Sequence, residues 1–130
     1  MVGKDCFLDT NIIVPFLNGD AVIAQKVGGL EAINLPITVL GELYYGAMKS
    51  TRPQENLENI LGFARQCNIY PIDEEAALSY GKLKSVLAKQ DTPIPENDIW
   101  IAALAKSYHF PIVTRDRHFA NVPGIEVIAW

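Results

Sequence analysis

Cysteine is scarce in this chain: Cys6 and Cys67 are the only two among 130 residues, each set among apolar neighbours and neither in a CxxC pair or a zinc-ligand spacing. A disulfide framework and a cysteine-based metal site are excluded, and both thiols are expected to be free and buried. No long apolar run exists either. The longest, Ile99 to Ala105, is seven residues against the roughly 20 that span a bilayer, which rules out a membrane-spanning helix. The leading Met1-Val2-Gly3-Lys4-Asp5 lacks a basic-then-apolar organisation and runs straight into a strand-like segment, so the chain is expected to stay in the cytoplasm. Repeats, low-complexity tracts and Gly/Ser linkers are missing, leaving a single domain over residues 1–130. Positive charge is also short. Eleven Lys and Arg against 15 Asp and Glu give a net charge of −4, which argues against broad electrostatic attraction to nucleic acid.

What is present is an ordinary core-forming composition, 49% hydrophobic and 20% charged, enough to bury one core without cross-links. Short apolar segments alternate with longer amphipathic ones. Strands are predicted at Cys6–Leu8, Ile33–Ile37, Asn68–Tyr70, Pro111–Thr114 and Ile125–Ile128. Between them the spacing predicts a turn or two of helix at Asn11–Leu17 interrupted by Pro15, then helices at Ala21–Leu30 capped by Asp20, from Thr38 as cap, at Pro53–Arg65, from Asp73 to about Lys89, and from Asp98 to Tyr108. Strands separated by helices imply a parallel sheet covered on both faces: an α/β fold, a three-layer α/β/α sandwich.

Parallel sheets bind ligands beyond the carboxyl ends of their strands, and acidic residues fall there. Asp9 directly follows the first strand, and Asp116 follows Val113-Thr114 by one residue. Each is also explained by a local role, Asp9 as a helix cap and Asp116 in a surface turn. Glu42 lies beside the apolar stripe of its helix rather than opposite it. Gly46, one turn on, has no side chain to cover it and costs about 1 kcal/mol of helix propensity relative to alanine. Asp98 opens an almost wholly apolar helix, where a capping role, shared with Asn97, also accounts for it. Taken together the four occupy distinct elements that one sheet can gather at one edge. Clustered carboxylates repel and raise one another's pKa, a conflict that a hard divalent cation resolves. Mg²⁺, with Mn²⁺ able to substitute, is the expected cofactor.

The segments Leu8-Asp9-Thr10-Asn11, Gly41-Glu42-Leu43-Tyr44-Tyr45-Gly46, Asn97-Asp98-Ile99-Trp100-Ile101-Ala102-Ala103 and Val113-Thr114-Arg115-Asp116-Arg117-His118-Phe119 resemble, in order and spacing, those of the PIN-domain nucleases, particularly the VapC-type toxins of type II toxin–antitoxin pairs. The resemblance implies a roughly five-stranded parallel sheet. It makes Asp9, Glu42, Asp98 and Asp116 the catalytic, metal-binding set, and it implies metal-assisted hydrolysis of RNA phosphodiester bonds through an in-line attack by hydroxide. Thr10, Asn11 and Thr114 match polar positions that hold the carboxylates or a metal-bound water, although capping and turn formation explain them equally. Asp116 is where relatives often carry another polar residue. The resemblance further implies a homodimer restrained by an antitoxin whose tail brings a basic side chain to the carboxylates.

Setting those four acids aside leaves eleven against eleven basic residues, so the rest of the surface is neutral. Lys49, Arg52, Arg115 and Arg117 are then candidates for RNA backbone contacts. Tyr44, Tyr45, Phe63 and Trp100 are candidates for core packing or for an interface. His109 is expected at a helix end and His118 on the surface. Two alternatives stand beside the nuclease: a receiver-like phospho-acceptor domain, which would want an acidic pair after the first strand and a lone aspartate after a middle one, and a catalytically silent PIN-like binding module.

Overall fold

The computed structural model describes residues 5–130, so the reading of the leading Met1-Val2-Gly3-Lys4 lies outside it. In chain order the elements are β1 (Phe7–Leu8), α1 (Thr10–Leu17), α2 (Ala21–Gly28), β2 (Asn34–Pro36), α3 (Ile37–Met48), α4 (Pro53–Ala64), β3 (Asn68–Tyr70), α5 (Glu74–Lys89), α6 (Glu96–Tyr108), β4 (Ile112–Val113), a 3₁₀ turn (Arg117–Asn121) and β5 (Val127–Ile128). The five strands form one sheet in the order β3-β2-β1-β4-β5, and every pairing is parallel.

Neighbouring residues of a strand point to opposite faces. Phe7 and Leu8 are both fully buried, as are Ile112 and Val113, so both faces of the sheet are covered. The architecture is therefore the expected α/β/α sandwich. Against the sheet α3 packs with α4 and α5 with α6. At the amino end of β1 the Phe7 ring meets Tyr70, Tyr108 and Phe110 at centroid distances of 5.1, 6.2 and 5.0 Å, tying β1 to β3 and to the end of α6. Each such side chain removed from water contributes roughly 1.5–3 kcal/mol.

Asp20 and Asp73 cap α2 and α5 as predicted, accepting from Ile23 N at 3.1 Å and Ala76 N at 2.9 Å. Three helices differ from expectation, one in its interior and two at their starts. Pro15 does not interrupt α1: the helix runs unbroken from Thr10 to Leu17, because the buried Ile12 and Ile13 anchor it and the Pro15 carbonyl still accepts from Asn18 N and Asp20 N. Thr38 does not cap α3. Pro36, in an extended conformation, passes directly from β2 into the helix, and the Thr38 hydroxyl lies buried inside the first turn without a partner among the described residues. Asp98 and Asn97 do not cap α6, which starts at Glu96 after Pro95 and places Asp98 third in the helix.

Both thiols are free: Cys6 is buried and Cys67 half-buried, and burial pushes each pKa up to about 11. Among the described residues no helix is long and apolar enough to cross a membrane.

Candidate active site

Strand β1 is the point at which the chain reverses its direction of sheet building: β2 and β3 are added on one side, β4 and β5 on the other. The carboxyl ends of β1 and β4 thus open a crevice. Phe7 pairs with Ile112 and Leu8 with Val113, which brings Asp9 level with Thr114, and Asp9 N continues the ladder to the Val113 carbonyl at 3.0 Å.

Asp9 is almost completely buried here. One carboxylate oxygen accepts from Thr10 N at 2.7 Å, the other from the Thr114 hydroxyl at 2.8 Å. That hydroxyl in turn accepts from Asn11 Nδ2 at 3.3 Å and from Asp116 N at 3.0 Å. Asn11 Oδ1 accepts from Arg115 N at 3.1 Å, and the Thr10 hydroxyl donates to Glu42 at 3.1 Å. Thr10 and Thr114 thus bond the Asp9 and Glu42 carboxylates directly, whereas Asn11 reaches Asp9 only through the Thr114 hydroxyl. Arg115 is turned elsewhere, its Nε donating to the Trp130 carbonyl at 3.3 Å.

On the other side of the crevice Asp98 is buried on α6, and His118 Nε2 lies 2.5 Å from its Oδ2 and 3.8 Å from Asp116 Oδ2. With Asp98 ionised, the ring nitrogen must carry the proton and donate. His118 is thus not the free surface residue expected from sequence. It faces two carboxylates, and one ligand atom from each of Asp98, Asp116 and His118 fits within 4.8 Å of the others. Nearness to Asp116 in sequence was the only signal for it, since Asp98 is 20 residues away.

Burial raises the Asp9 carboxyl above its ordinary pKa and the Asp116 charge adds to that, while bonds from Thr114 and Thr10 oppose it. Burial likewise raises Glu42, with Asp9 and Asp98 repelling it against bonds from Thr10 and Asn97. Asp98 is raised by burial and by the charges of Asp9 and Asp116, with His118 pulling it back. All four predicted acids thus share one electrostatic neighbourhood. The donors are carboxylate oxygens with one imidazole and no thiol, a set suited to a hard divalent cation.

The Thr114 hydroxyl is the junction of this network, and its loss would leave a buried carboxylate oxygen and a backbone N–H without partners. Thr114→Val is expected to lower the unfolding free energy by about 1–3 kcal/mol, and Thr114→Ser by much less. Denaturant titration measures the difference; equal stability of the two variants would remove the hydroxyl from the structural account.

A family model for the PIN domain matches residues 6–125, and the chain belongs to the PIN-domain family. Within that family it is of the VapC type, the ribonuclease toxins of toxin–antitoxin systems. It is 37% identical over 126 residues to the tRNA(fMet)-specific endonuclease VapC of Salmonella typhimurium, covering 95% of this chain and 96% of that protein. To ribonuclease VapC1 of Haemophilus influenzae it is 30% identical over 128 residues, with the same coverage of 95% and 96%. The solved DNA-bound VapBC of Salmonella typhimurium matches its fold with a TM-score of 0.88 at 29% identity, over 100% of this chain and 99% of that one. The receiver-like alternative falls: β1 is followed by the single acid Asp9 and Thr10 rather than an acidic pair, and β2 and β3, next in chain order, end in Pro36 and Tyr70 rather than at an aspartate.

Proposed function

We propose that Asp9, Glu42, Asp98 and Asp116 hold Mg²⁺, for which Mn²⁺ can substitute, and that the chain hydrolyses RNA phosphodiester bonds there as the toxin of a toxin–antitoxin pair. The observation that carries this is the convergence of four acidic side chains from four elements on the crevice between β1 and β4, three of them with pKa values raised by burial and by one another. Such a cluster is costly unless a cation joins it. When bound, the ion lowers the pKa of water and offsets charge on the phosphate.

The chain's own residues prepare the site. Thr10 N and Thr114 hold Asp9 from both sides, so its carboxylate is oriented before any ligand arrives. The Thr10 side chain does the same for Glu42. His118 donates a hydrogen bond to Asp98 and lies 3.8 Å from Asp116, so its N–H dipole offsets part of the repulsion between these two carboxylates. A catalytically silent module would have no use for this arrangement.

Partners follow from the same likeness. The solved structures of similar fold include VapBC2 of Rickettsia felis bound to a promoter DNA fragment and the DNA-bound VapBC of Salmonella typhimurium. By analogy we infer that this chain acts in the cytoplasm as a homodimer. We also infer an antitoxin that brings a basic side chain to the carboxylates and loses affinity as Mg²⁺ rises.

The test is direct. Purified protein incubated with RNA, transfer RNA first, should cleave it in Mg²⁺ or Mn²⁺ and leave it intact in EDTA; EDTA-resistant cleavage would overturn the reading. Light scattering at micromolar concentration should give twice the mass of 14.4 kDa, and a monomer would reject the homodimer.

A further inference from the structure

Helix α3 carries two glycines that no close contact requires, Gly41 and Gly46: a Cβ added at either meets nothing within 4 Å, and neither φ is positive, yet glycine inside a helix is disfavoured relative to alanine. Of the two, Gly46 lines a groove of about 760 Å³ between α1, α3 and α4, into which the space it leaves opens. At its inner end the groove is bounded by Thr10, Glu42 and Asn97, and so begins at the carboxylate centre. From there Glu42, Tyr45, Gly46 and Lys49 form a stripe along α3 at helical spacing. Seven rises of ~1.5 Å from Glu42 to Lys49, the residue that ends α3, make the stripe about 10 Å long, the rise of roughly three stacked nucleotides at ~3.4 Å apiece.

The lining has the chemistry of a single nucleic-acid strand. Tyr45 is 67% exposed, an aromatic ring left in water, and the Lys49 ammonium lies 4.8 Å from its centroid. Asn59 of α4 presents an amide, which can both donate to and accept from base edges, while the Asn56 Nδ2 donates to the Ser50 hydroxyl at 2.8 Å and fixes the groove wall. Val14 and Leu17 of α1, 43% and 40% exposed, offer apolar surface to sugars and base faces. Glu42 is the only acid of the lining and stands at the catalytic end, with Lys49 at the far end. Stacking of a base on an aromatic ring adds affinity and tolerates any sequence.

We propose that this groove seats the single-stranded stretch of RNA next to the bond that is cut, with one base stacked on Tyr45 over the space left by Gly46 and a phosphate on Lys49. The proposal rests on the ribonuclease reading and assigns that site its substrate path: unpaired RNA, with Tyr45, Gly46 and Lys49 as binding residues.

The experiment measures steady-state cleavage of a single-stranded oligoribonucleotide by the full chain. It also measures binding of the same fluorescein-labelled strand in EDTA, where hydrolysis is off. Gly46→Ala should melt at or above the wild-type temperature, since alanine favours the helix and clashes with nothing in the protein. Gly46→Leu and Tyr45→Ala should raise KM and the Kd of the strand tenfold or more, with kcat changed far less. Lys49→Ala should flatten the plot of log Kd against log salt by about 0.7, the loss of one single-strand phosphate contact. Folded variants with wild-type KM, Kd and salt slope would overturn the proposal, as would variants that lose affinity for an antitoxin while binding RNA normally. A wild type that binds the strand through these residues yet never cleaves it would refute the nuclease reading and leave the groove assignment standing.

Discussion

Asp9→Ala is expected to lower kcat/KM for RNA by at least about a hundredfold while the protein stays folded, since losses of this size follow when one preorganised electrostatic group is removed from a catalytic centre. Asp9 sits at the junction of the two central strands, held by Thr10 and Thr114. Asp98→Ala and Glu42→Ala should fall comparably, because each contributes to the same charge cluster from a different helix. Asp116→Ala should cost only about tenfold: its side chain is 46% exposed in the turn after β4 and least committed to the buried centre. Circular dichroism separates misfolding from lost chemistry. A fully active Asp9→Ala protein, free of other nucleases, would refute the assignment of the site.

The second large effect is on stability, and it reverses sign with the ion. Mg²⁺ at a hundred times its Kd should raise the unfolding free energy by about 2.7 kcal/mol, a rise in Tm of roughly 10 °C for a chain of this size. Without metal the carboxylates work against the fold. Asp9, Glu42 and Asp98 have folded-state pKa values above their ordinary ones, burial being the leading cause. A raised carboxyl pKa favours the fold below the unfolded value, near pH 4, and that benefit is lost as pH rises through the folded value. In EDTA, Asp98→Asn should therefore be more stable than the wild type at neutral pH, and the gap should close as pH falls toward about 4. Denaturant titrations at stepped pH measure it. A variant less stable than wild type at neutral pH would mean that the bond from His118 outweighs the burial of the charge.

Much of this was legible from residue order. Asp9, Glu42 and Asp98 stand out because each breaks or borders an apolar segment, Asp116 because it follows the strand ending in Val113-Thr114 by one residue, and the alternation of strands and helices places them at one edge of a sheet. Thr38 and Asp98 misled as caps because a good capping residue near a helix start says nothing about where the chain actually turns; Pro36 and Pro95, with fixed φ, begin those helices instead. Pro15 misled in the opposite direction: one lost hydrogen bond does not end a helix whose other side chains are buried. His118 was invisible because its partner, Asp98, lies on another element, and only the turn after β4 brings the ring back over α6. The open space at Gly46 was legible as an anomaly of propensity, but only the groove gives it something to admit.

The hydrogen bond between Thr114 and Asp9 spans 105 residues of chain, and its reach has a temporal consequence. Synthesis proceeds from the amino end, and β1 cannot acquire its β4 neighbour until the chain has been translated through Val113 and that segment has left the ribosomal tunnel. A nascent chain that already carries Asp9, Glu42 and Asp98 still lacks Thr114, Asp116 and His118, so the centre proposed above is unassembled. For an enzyme that destroys RNA, late closure protects the message and the ribosome that are making it, and gives an antitoxin time to be present when the last strand docks.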